Sequence, residues 1–341
     1  MKAAVYHSQS DIRIEELPAP KIGDDEILVQ MKSCGVCGSD LMGWYLERRA
    51  PLVLGHEPAG IIVEKGNRVK DFSVGDRVFV HHHVACLECH YCQCGDYTLC
   101  KQFHETNIDP GGFAEHFRVP PPNLRLDTHK IPESTTFEEA TFIEPVGCCL
   151  RALKKCVVQK GDSVAVIGAG ATGIIHVALA KIMGAGQVIV SDLFDHRLSM
   201  AKKFGADISV NPKDKSLSDI VKRETDKRGV DLTVVTAPSL EAYRTAMGIC
   251  RNGGKLCIFA PTNPHEYLQI SPKDLFFSEV HVIPSYSTSH IETKEALELI
   301  ASRKLNVKEL ITHRFRLEDT AKAFKTALES KESLKVLVVT E

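Results

Sequence analysis

The sequence lacks long apolar runs and lacks a marked excess of either charge. It holds 42 lysines and arginines against 44 acidic residues, for a formal net charge of −2, with no basic stripe and no acidic tail. We therefore expect neither nucleic acid nor an anionic membrane surface as a partner. No run reaches the roughly 18 apolar residues of a membrane span. The N-terminal segment lacks the apolar core of a secretory signal, so we expect a cytoplasmic protein.

Internal repeats and low-complexity segments are also absent, and a chain of 341 residues predicts two domains. Residues 1–154 predict a β-rich domain, because short alternating runs are separated by glycine and proline turns. From residue 155 to 284, strand-like and helix-like runs alternate and predict a second domain. A last apolar run at 336–339 follows after that sheet is complete. We therefore predict that residues 285–341 return to the first domain.

The alternation in the second domain is typical of a doubly wound parallel sheet, which makes the fold class α/β. Helical patterns, for example at 197–204, 218–227 and 240–250, separate the apolar runs. The six predicted strands are residues 164–167, 188–191, 208–210, 232–235, 255–259 and 280–283.

A glycine-rich turn joins the first of these strands to a helical run. Its pattern is G-x-G-x-x-G, formed by Gly168, Gly170 and Gly173 with Ala171 and Thr172 between the last two. Such glycines permit a tight turn, the approach of a pyrophosphate and close packing of helix on strand. The helix start then favours phosphate charge. The pattern predicts a dinucleotide site; the alternative is an ordinary strand-to-helix turn.

Asp192 ends the second predicted strand, about 20 residues after the turn, where an acidic side chain meets a ribose 2′-hydroxyl. A carboxylate there favours NAD, because it repels the 2′-phosphate of NADP. Arg197 lies in the following helix and could meet such a phosphate, or it could pack locally. We include Arg197 among the candidate cofactor-binding residues.

Five of the twelve cysteines crowd into a short segment, which in this chain indicates a metal rather than disulfides. Cys86, Cys89, Cys92 and Cys100 have the spacing C-x2-C-x2-C-x7-C. Four thiolates close the coordination shell of a structural zinc, whereas an iron–sulfur cluster is the competing interpretation. Cys94 is one cysteine too many, and we expect it to be a free thiol.

A second set of candidate ligands is more widely spread and comprises Cys37, His56, Glu57 and Glu144. Thiolate, imidazole and carboxylate are the mixed ligands of catalytic zinc, which keeps one position open. Spacing alone does not establish such a site, because any protein has scattered cysteine, histidine and glutamate.

The motifs together resemble the zinc-dependent medium-chain alcohol and polyol dehydrogenases, including sorbitol and threonine dehydrogenases. They are CGVCGSD from residue 34, GHEPAG from 55, GDRV from 75, the four-cysteine segment and GAGATG from 168. The resemblance implies a GroES-like catalytic domain, a Rossmann cofactor domain and an active site in the cleft between them. It also implies two zinc ions, NAD, an alcohol or ketone substrate, and a homodimer or homotetramer paired through the edge strand at 280–283.

The same resemblance implies roles for individual residues. Cys37 and His56 are expected to bind the catalytic zinc, and Glu57 to bind it or to exchange with water on it. Glu144 is expected as the remaining acidic ligand. Ser39 would pass on the proton of the alcohol, and Asp40 would orient His56.

Several points stay open at this stage. Many relatives carry a histidine in the proton path where this chain has Met42, which cannot relay a proton, so the exit route is unassigned. His81, His82 and His83 are expected to face solvent or line the cleft rather than bind metal. Trp44 and Tyr45 line a substrate pocket or pack under the loop. The competing functions are a zinc-free quinone or enoyl reductase of the same superfamily and a non-catalytic binding protein.

Overall fold

The computed structural model describes residues 1–340, which form two compact units. The first unit consists of Met1–Gly147 together with residues 287–340, and the second of Cys148–Tyr286. The boundary after Gly147 falls inside the helix Ile143–Lys155.

The N-terminal part of the first unit is rich in strands joined by short helices. Its strands are β1 (Lys2–Ser8), β2 (Asp11–Glu16), β3 (Ile27–Gly35), β4 (Leu52–Val53), β5 (Pro58–Lys65), β6 (Arg77–Val80), β7 (His116–Val119) and β8 (Thr128–Lys130). Its α-helices are α1 (Gly43–Leu46), α2 (His90–Gln93), α3 (Lys101–Glu105), α4 (Pro121–Leu126), α5 (Phe137–Ala140) and α6 (Ile143–Lys155), of which α6 runs on into the second unit. Short 3-10 helices span Gly38–Leu41, Glu47–Arg49 and Tyr97–Leu99.

The second unit is a six-stranded parallel sheet with the order β11-β10-β9-β12-β13-β14. Its strands are β9 (Ser163–Ile167), β10 (Gln187–Ser191), β11 (Ile208–Val210), β12 (Val230–Val235), β13 (Cys250–Ile258) and β14 (His281–Pro284). Its helices are α7 (Ala171–Ile182), α8 (Asp195–Lys203), α9 (Leu217–Glu224), α10 (Leu240–Ile249) and α11 (Pro272–Ser278). The central strands β9 and β12 are buried along their whole length, as strands covered on both faces must be. The predicted doubly wound sheet is confirmed.

The C-terminal segment completes the first unit. It contains α12 (His290–Ala301), a 3-10 helix (Val307–Leu310), β15 (Ile311–Arg316), a 3-10 helix (Leu317–Asp319), α13 (Thr320–Glu329) and β16 (Lys335–Val339). Strand β16 pairs antiparallel with β3, with Leu337 opposite Gly35, and parallel with β15. The last strand therefore lies in the same sheet as β3.

These pairings define the sheets of the first unit. The larger has the order β15-β16-β3-β5-β6-β8, with β7 also on β3, and the smaller the order β2-β1-β4. Strand β3 lies at the centre, and its alternate residues Ile27, Val29 and Met31 are fully buried in the core. Among residues 1–340, no helix combines the length and the apolar character needed to cross a membrane.

Candidate active site

Three of the predicted zinc ligands come together in the first unit. Cys37 follows β3, and His56 with Glu57 precedes β5, the strand that pairs with β3. One donor atom from each residue lies within 4.8 Å of the others. The paired strands therefore position a thiolate, an imidazole and a carboxylate around one point.

Asp40 contacts both His56 and Cys37. Its Oδ1 lies 3.3 Å from His56 Nδ1, and its Oδ2 accepts a hydrogen bond of 3.0 Å from the backbone amide of Cys37. Burial disfavours charge on His56, but Asp40 and Cys37 outweigh it and raise the pKa of the imidazole well above its usual value. Because Asp40 engages Nδ1, the Nε2 nitrogen is left for a metal.

Glu57 is fully buried and forms an ion pair with Lys335 at the start of β16, a partner that the motifs did not indicate. Lys335 Nζ also donates to the backbone oxygen of Val36 at 3.2 Å. Burial raises the pKa of Glu57, and Lys335 counteracts it. Oε1 of Glu57 has no hydrogen-bond partner among residues 1–340, so this oxygen can coordinate a metal.

Gly35 explains how the buried pair fits against β3. A Cβ atom at residue 35 would lie 1.8 Å from Glu57 Oε2 and 2.7 Å from Lys335 Cε. Any larger residue would displace the carboxylate, so this close approach requires glycine at the second position of the CGVCGSD motif.

Glu144 lies outside this cluster of three ligands. It is buried near the start of α6, yet its carboxylate is not among the donor atoms within 4.8 Å. Its charge still acts on the cluster, because it adds to the effect of burial in raising the pKa of Glu57. The structure thus gathers Cys37, His56 and Glu57 and keeps Glu144 as a nearby acid.

Ser39 and Met42 lie in and just after the 3-10 helix that follows Cys37. The Ser39 side chain is partly exposed and forms no hydrogen bond within the described chain, while its backbone oxygen accepts from the Met42 amide at 3.2 Å. The hydroxyl is therefore free to bind an incoming group.

The four predicted structural ligands converge in a separate lobe. Cys86 Sγ lies 3.9 Å from Cys92 Sγ and 3.6 Å from Cys100 Sγ, and Cys89 Sγ lies 3.6 Å from Cys92 Sγ. Zn–S bonds of about 2.3 Å at tetrahedral angles separate the sulfurs by about 3.8 Å. The sulfurs therefore fit a single tetrahedral ion. An iron–sulfur cluster would hold them further apart, because its thiolates bind different irons.

Backbone amides support this lobe. The amides of Glu88 and Cys89 lower the pKa of the Cys86 thiol to about 6, whereas burial and the neighbouring thiols raise that of Cys92 to about 12. Cys94 is exposed and free, as expected, with its Sγ 3.8 Å from His90 Nε2.

The glycine turn of the second unit has the geometry of a phosphate-binding loop. Gly168 has a φ of +104°, which favours glycine, and a Cβ at Gly173 would lie 1.9 Å from the Gly168 oxygen. Nothing lies within 4 Å of a Cβ at Gly170, so the backbone is open to a ligand at that point. Helix α7 begins at Ala171 and Thr172, which directs its amino end toward this space.

Asp192 and Arg197 lie beside the turn with different partners. Asp192 Oδ2 accepts from the Ala169 amide at 2.7 Å, and Oδ1 from the Phe194 amide at 2.9 Å. The Arg197 guanidinium stacks over the Phe194 ring at 5.0 Å. This contact is the local packing that the sequence left open for Arg197.

The three consecutive histidines have distinct surroundings. They were expected to face solvent or line the cleft, but His81 does not face solvent. It is fully buried, and its Nδ1 lies 2.9 Å from Asp127 Oδ2, while His129 Nε2 lies 2.8 Å from Oδ1. Burial opposes the charge of Asp127, but the two histidines hold the pKa of its carboxyl well below the usual range. The sequence does not indicate this buried network, because its members lie just after β6, just after α4 and on β8.

His82 and His83 lie nearer the ligand cluster. The His82 ring lies 5.0 Å from the His56 ring and 3.9 Å from the His83 ring, measured between centroids. His83 Nδ1 bonds the Thr106 oxygen at 2.6 Å. Burial and neighbouring cations hold the pKa of His82 well below its usual value. None of the three histidines belongs to a metal-ligand cluster in the described part of the chain.

Trp44 and Tyr45 are exposed rather than packed in the core. Their rings meet edge to face at 5.9 Å, and the Arg49 guanidinium lies 4.8 Å from the Tyr45 ring centroid. This arrangement leaves both rings available to a ligand.

Family models match both units of the chain. The model described as "Alcohol dehydrogenase GroES-like domain" matches residues 23–133, and the one described as "Zinc-binding dehydrogenase" matches residues 171–302. The match covers the ligand cluster, the cysteine lobe and most of the parallel sheet.

Relatives of known name cover nearly the whole chain. Sorbitol dehydrogenase of Bacillus subtilis is 37% identical over 99% of this chain and 97% of its own length. L-threonine 3-dehydrogenase of Chelativorans sp. is 30% identical over 99% and 98% of the two chains. A solved zinc-binding dehydrogenase of Sinorhizobium meliloti, bound to NADP, superposes with a TM-score of 0.88 at 28% identity, covering 99% of each chain.

Proposed function

Because this chain belongs to the zinc-binding medium-chain alcohol dehydrogenase family, we propose that it transfers a hydride between an alcohol and NAD. Membership confirms the resemblance that the motifs predicted. The convergence of Cys37, His56 and Glu57 within 4.8 Å carries the proposal, because this donor set suits catalytic zinc. The substrate is a secondary alcohol, a polyol or a hydroxy-amino acid; sorbitol and L-threonine, named for two relatives, illustrate the last two classes.

Bound zinc would supply Lewis acidity toward the alcohol oxygen, and the nicotinamide would accept the hydride. Cys37 and His56 would hold the metal, with Glu57 or Glu144 as the acidic ligand. Asp40, at 3.3 Å from His56 Nδ1, orients the imidazole. The unbonded Ser39 hydroxyl receives the proton of the alcohol and passes it on. Met42 cannot continue that path.

NAD is favoured over NADP by Asp192, whose carboxylate would bind a ribose hydroxyl and repel a 2′-phosphate. Gly168, Gly170 and Gly173, with Ala171 and Thr172 at the helix start, would hold the pyrophosphate. The stacking of Arg197 on Phe194 supports a packing role for that guanidinium. The solved relative from Sinorhizobium meliloti is bound to NADP, which is a property of that protein and not of this chain.

Steady-state kinetics on the purified enzyme test this function. We expect two zinc ions per chain, one for each ligand cluster, and NADH production from members of an alcohol panel, with NAD preferred to NADP. A preference for NADP would contradict the assignment of Asp192. One zinc ion or none would favour a zinc-free quinone or enoyl reductase, and no change of NADH fluorescence on titration would favour a non-catalytic protein.

We also propose a homodimer or homotetramer paired through the free edge of β14. Tyr267, Phe276 and Phe277 are 74%, 75% and 72% exposed in the same unit, and such a group of aromatic side chains is typical of an interface. Light scattering should give a multiple of the 37.7 kDa chain mass. Phe277→Lys should shift it toward the monomer, whereas Val74→Lys, at an exposed position of the first unit, should not. A monomeric unsubstituted protein would contradict the proposal.

A further inference from the structure

A positively charged cavity lies in the second unit, at the end of the parallel sheet opposite the glycine turn. It measures about 610 Å³ and is lined by Lys227, Arg228, Cys250, Arg251 and Asn252. The first two of these residues precede β12, and the other three begin β13. The glycine turn follows the carboxyl end of β9, which runs parallel to β12. The cavity is therefore separate from the proposed cofactor site.

The backbone brings the two walls of this cavity together. Strands β12 and β13 pair irregularly at this point, so that Asp231 alone faces residues 251–254, which loop outward and form one wall. Gly229 lets the other wall approach, because a Cβ atom there would lie 2.9 Å from the Arg251 amide nitrogen and its φ of +89° favours glycine. The fold thus holds cations from two segments around one space.

Within residues 1–340, Asp231 is the acidic side chain that pairs with these cations, and its carboxylate is already engaged. Its Oδ2 accepts from the amide and the hydroxyl of Ser163 at 2.8 and 2.6 Å, and its Oδ1 accepts from Arg251 Nε at 2.6 Å. Burial raises the pKa of Asp231, but these hydrogen bonds outweigh it and lower the pKa to about 2. One fixed negative charge therefore faces three positive ones.

The three cations keep hydrogen-bond donors for a ligand. Lys227 Nζ forms no hydrogen bond and no ion pair within residues 1–340. The two contacts of the Arg228 guanidinium are each 3.5 Å long. Arg251 uses Nε and Nη1, the latter toward the Asn252 oxygen at 2.7 Å, which leaves Nη2. Guanidinium and ammonium groups in this arrangement suit the oxygens of phosphate and carboxylate groups.

We propose that this cavity binds a small polyanion, a molecule that carries two or more phosphate or carboxylate groups. The volume of the cavity lies in the range of small-molecule sites, about 300–1,000 Å³. Its five lining residues include no aromatic side chain on which a base would stack. The charge is concentrated in a concave space, and the sequence has no basic stripe that would follow a nucleic acid or a membrane.

A bound polyanion would join the loop before β12 to the start of β13 and so stabilise the second unit. This site is additional to the proposed alcohol dehydrogenase function and does not rest on it.

Calorimetric titration tests the site, with inorganic pyrophosphate and citrate as separate probes. The protein is saturated with NADH, so that the glycine turn is occupied. We expect at least one probe to bind, and Lys227→Gln with Arg228→Gln to raise its dissociation constant by about tenfold or more. Arg251 is left in place because it pairs with buried Asp231. The probe that binds more tightly shows whether phosphate or carboxylate groups are preferred.

Lys213→Gln with Lys215→Gln is the matched control, since it removes two exposed cations at the other end of α9. This control should bind both probes as the parent does. Sodium chloride should weaken binding to the parent, because it screens exposed charges, and should affect the variant of Lys227 and Arg228 less.

Two results would overturn the proposal. One is that neither probe binds to the parent protein. The other is that the variant of Lys227 and Arg228 binds as tightly as the parent, because the anion would then occupy the glycine turn or a metal site. Without polyanion, this variant should oxidise alcohols at the parental kcat/KM, so a negative binding result would leave the proposed function standing.

Discussion

Cys37→Ala will abolish alcohol oxidation while NADH still binds. The thiolate is one of three donors within 4.8 Å, and its loss leaves only His56 and Glu57 to hold the metal. The Lewis acidity of zinc contributes several kcal/mol to the reaction, so we expect kcat/KM to fall by about a thousandfold or more. The glycine turn belongs to the other unit, so the dissociation constant of NADH should change by less than about twofold. Metal analysis should show one zinc ion per chain in place of two.

Cys94→Ala is the matched control for this prediction. It removes an exposed free thiol near the other cysteine cluster and should keep both zinc ions and full activity. A Cys37→Ala enzyme with a near-normal rate would show that the cluster around His56 is not the catalytic centre. Loss of NADH binding together with activity would indicate instead that the substitution had disturbed the fold.

The features that could be predicted from the sequence are those encoded over short distances along the chain. The six strands of the second unit follow from local apolar runs, and their parallel pairing follows from the helical runs that separate them. The four-cysteine lobe lies within 15 consecutive residues, so its closure needs no knowledge of the rest of the fold. The glycine turn likewise combines positive φ at Gly168 with close packing at Gly173, both dictated locally.

Features that depend on strand register could not be predicted in this way. Leu337 of β16 pairs with Gly35 of β3. This register brings Lys335, two residues before Leu337, next to Glu57. Asp127 meets His81 and His129 because β6 pairs with β8. The sequence does contain one signal for the contact between Lys335 and Glu57. Lys335 begins an apolar strand, and a lysine that is buried there needs a carboxylate partner.

That buried ion pair gives the second large expected effect. Lys335→Met should destabilise the zinc-loaded protein by about 3–5 kcal/mol, because Glu57 loses the partner that offsets its burial. Thermal and urea unfolding measure the change. Lys331→Met, at an exposed position just before β16, should alter stability by less than about 0.5 kcal/mol.

A second substitution separates charge from packing. If Lys335→Met lowers stability because the Glu57 carboxylate is left buried without a cation, then adding Glu57→Gln to the same chain should recover much of the lost stability. The amide of glutamine carries no charge to be compensated. If the cost were lost packing of the lysine stem against Phe142, whose ring centroid lies 5.8 Å from Nζ, the double variant would be no more stable than Lys335→Met alone. A Lys335→Met protein as stable as the parent would mean that zinc, not Lys335, balances the charge of Glu57. In that case Glu57 rather than Glu144 would be the acidic ligand.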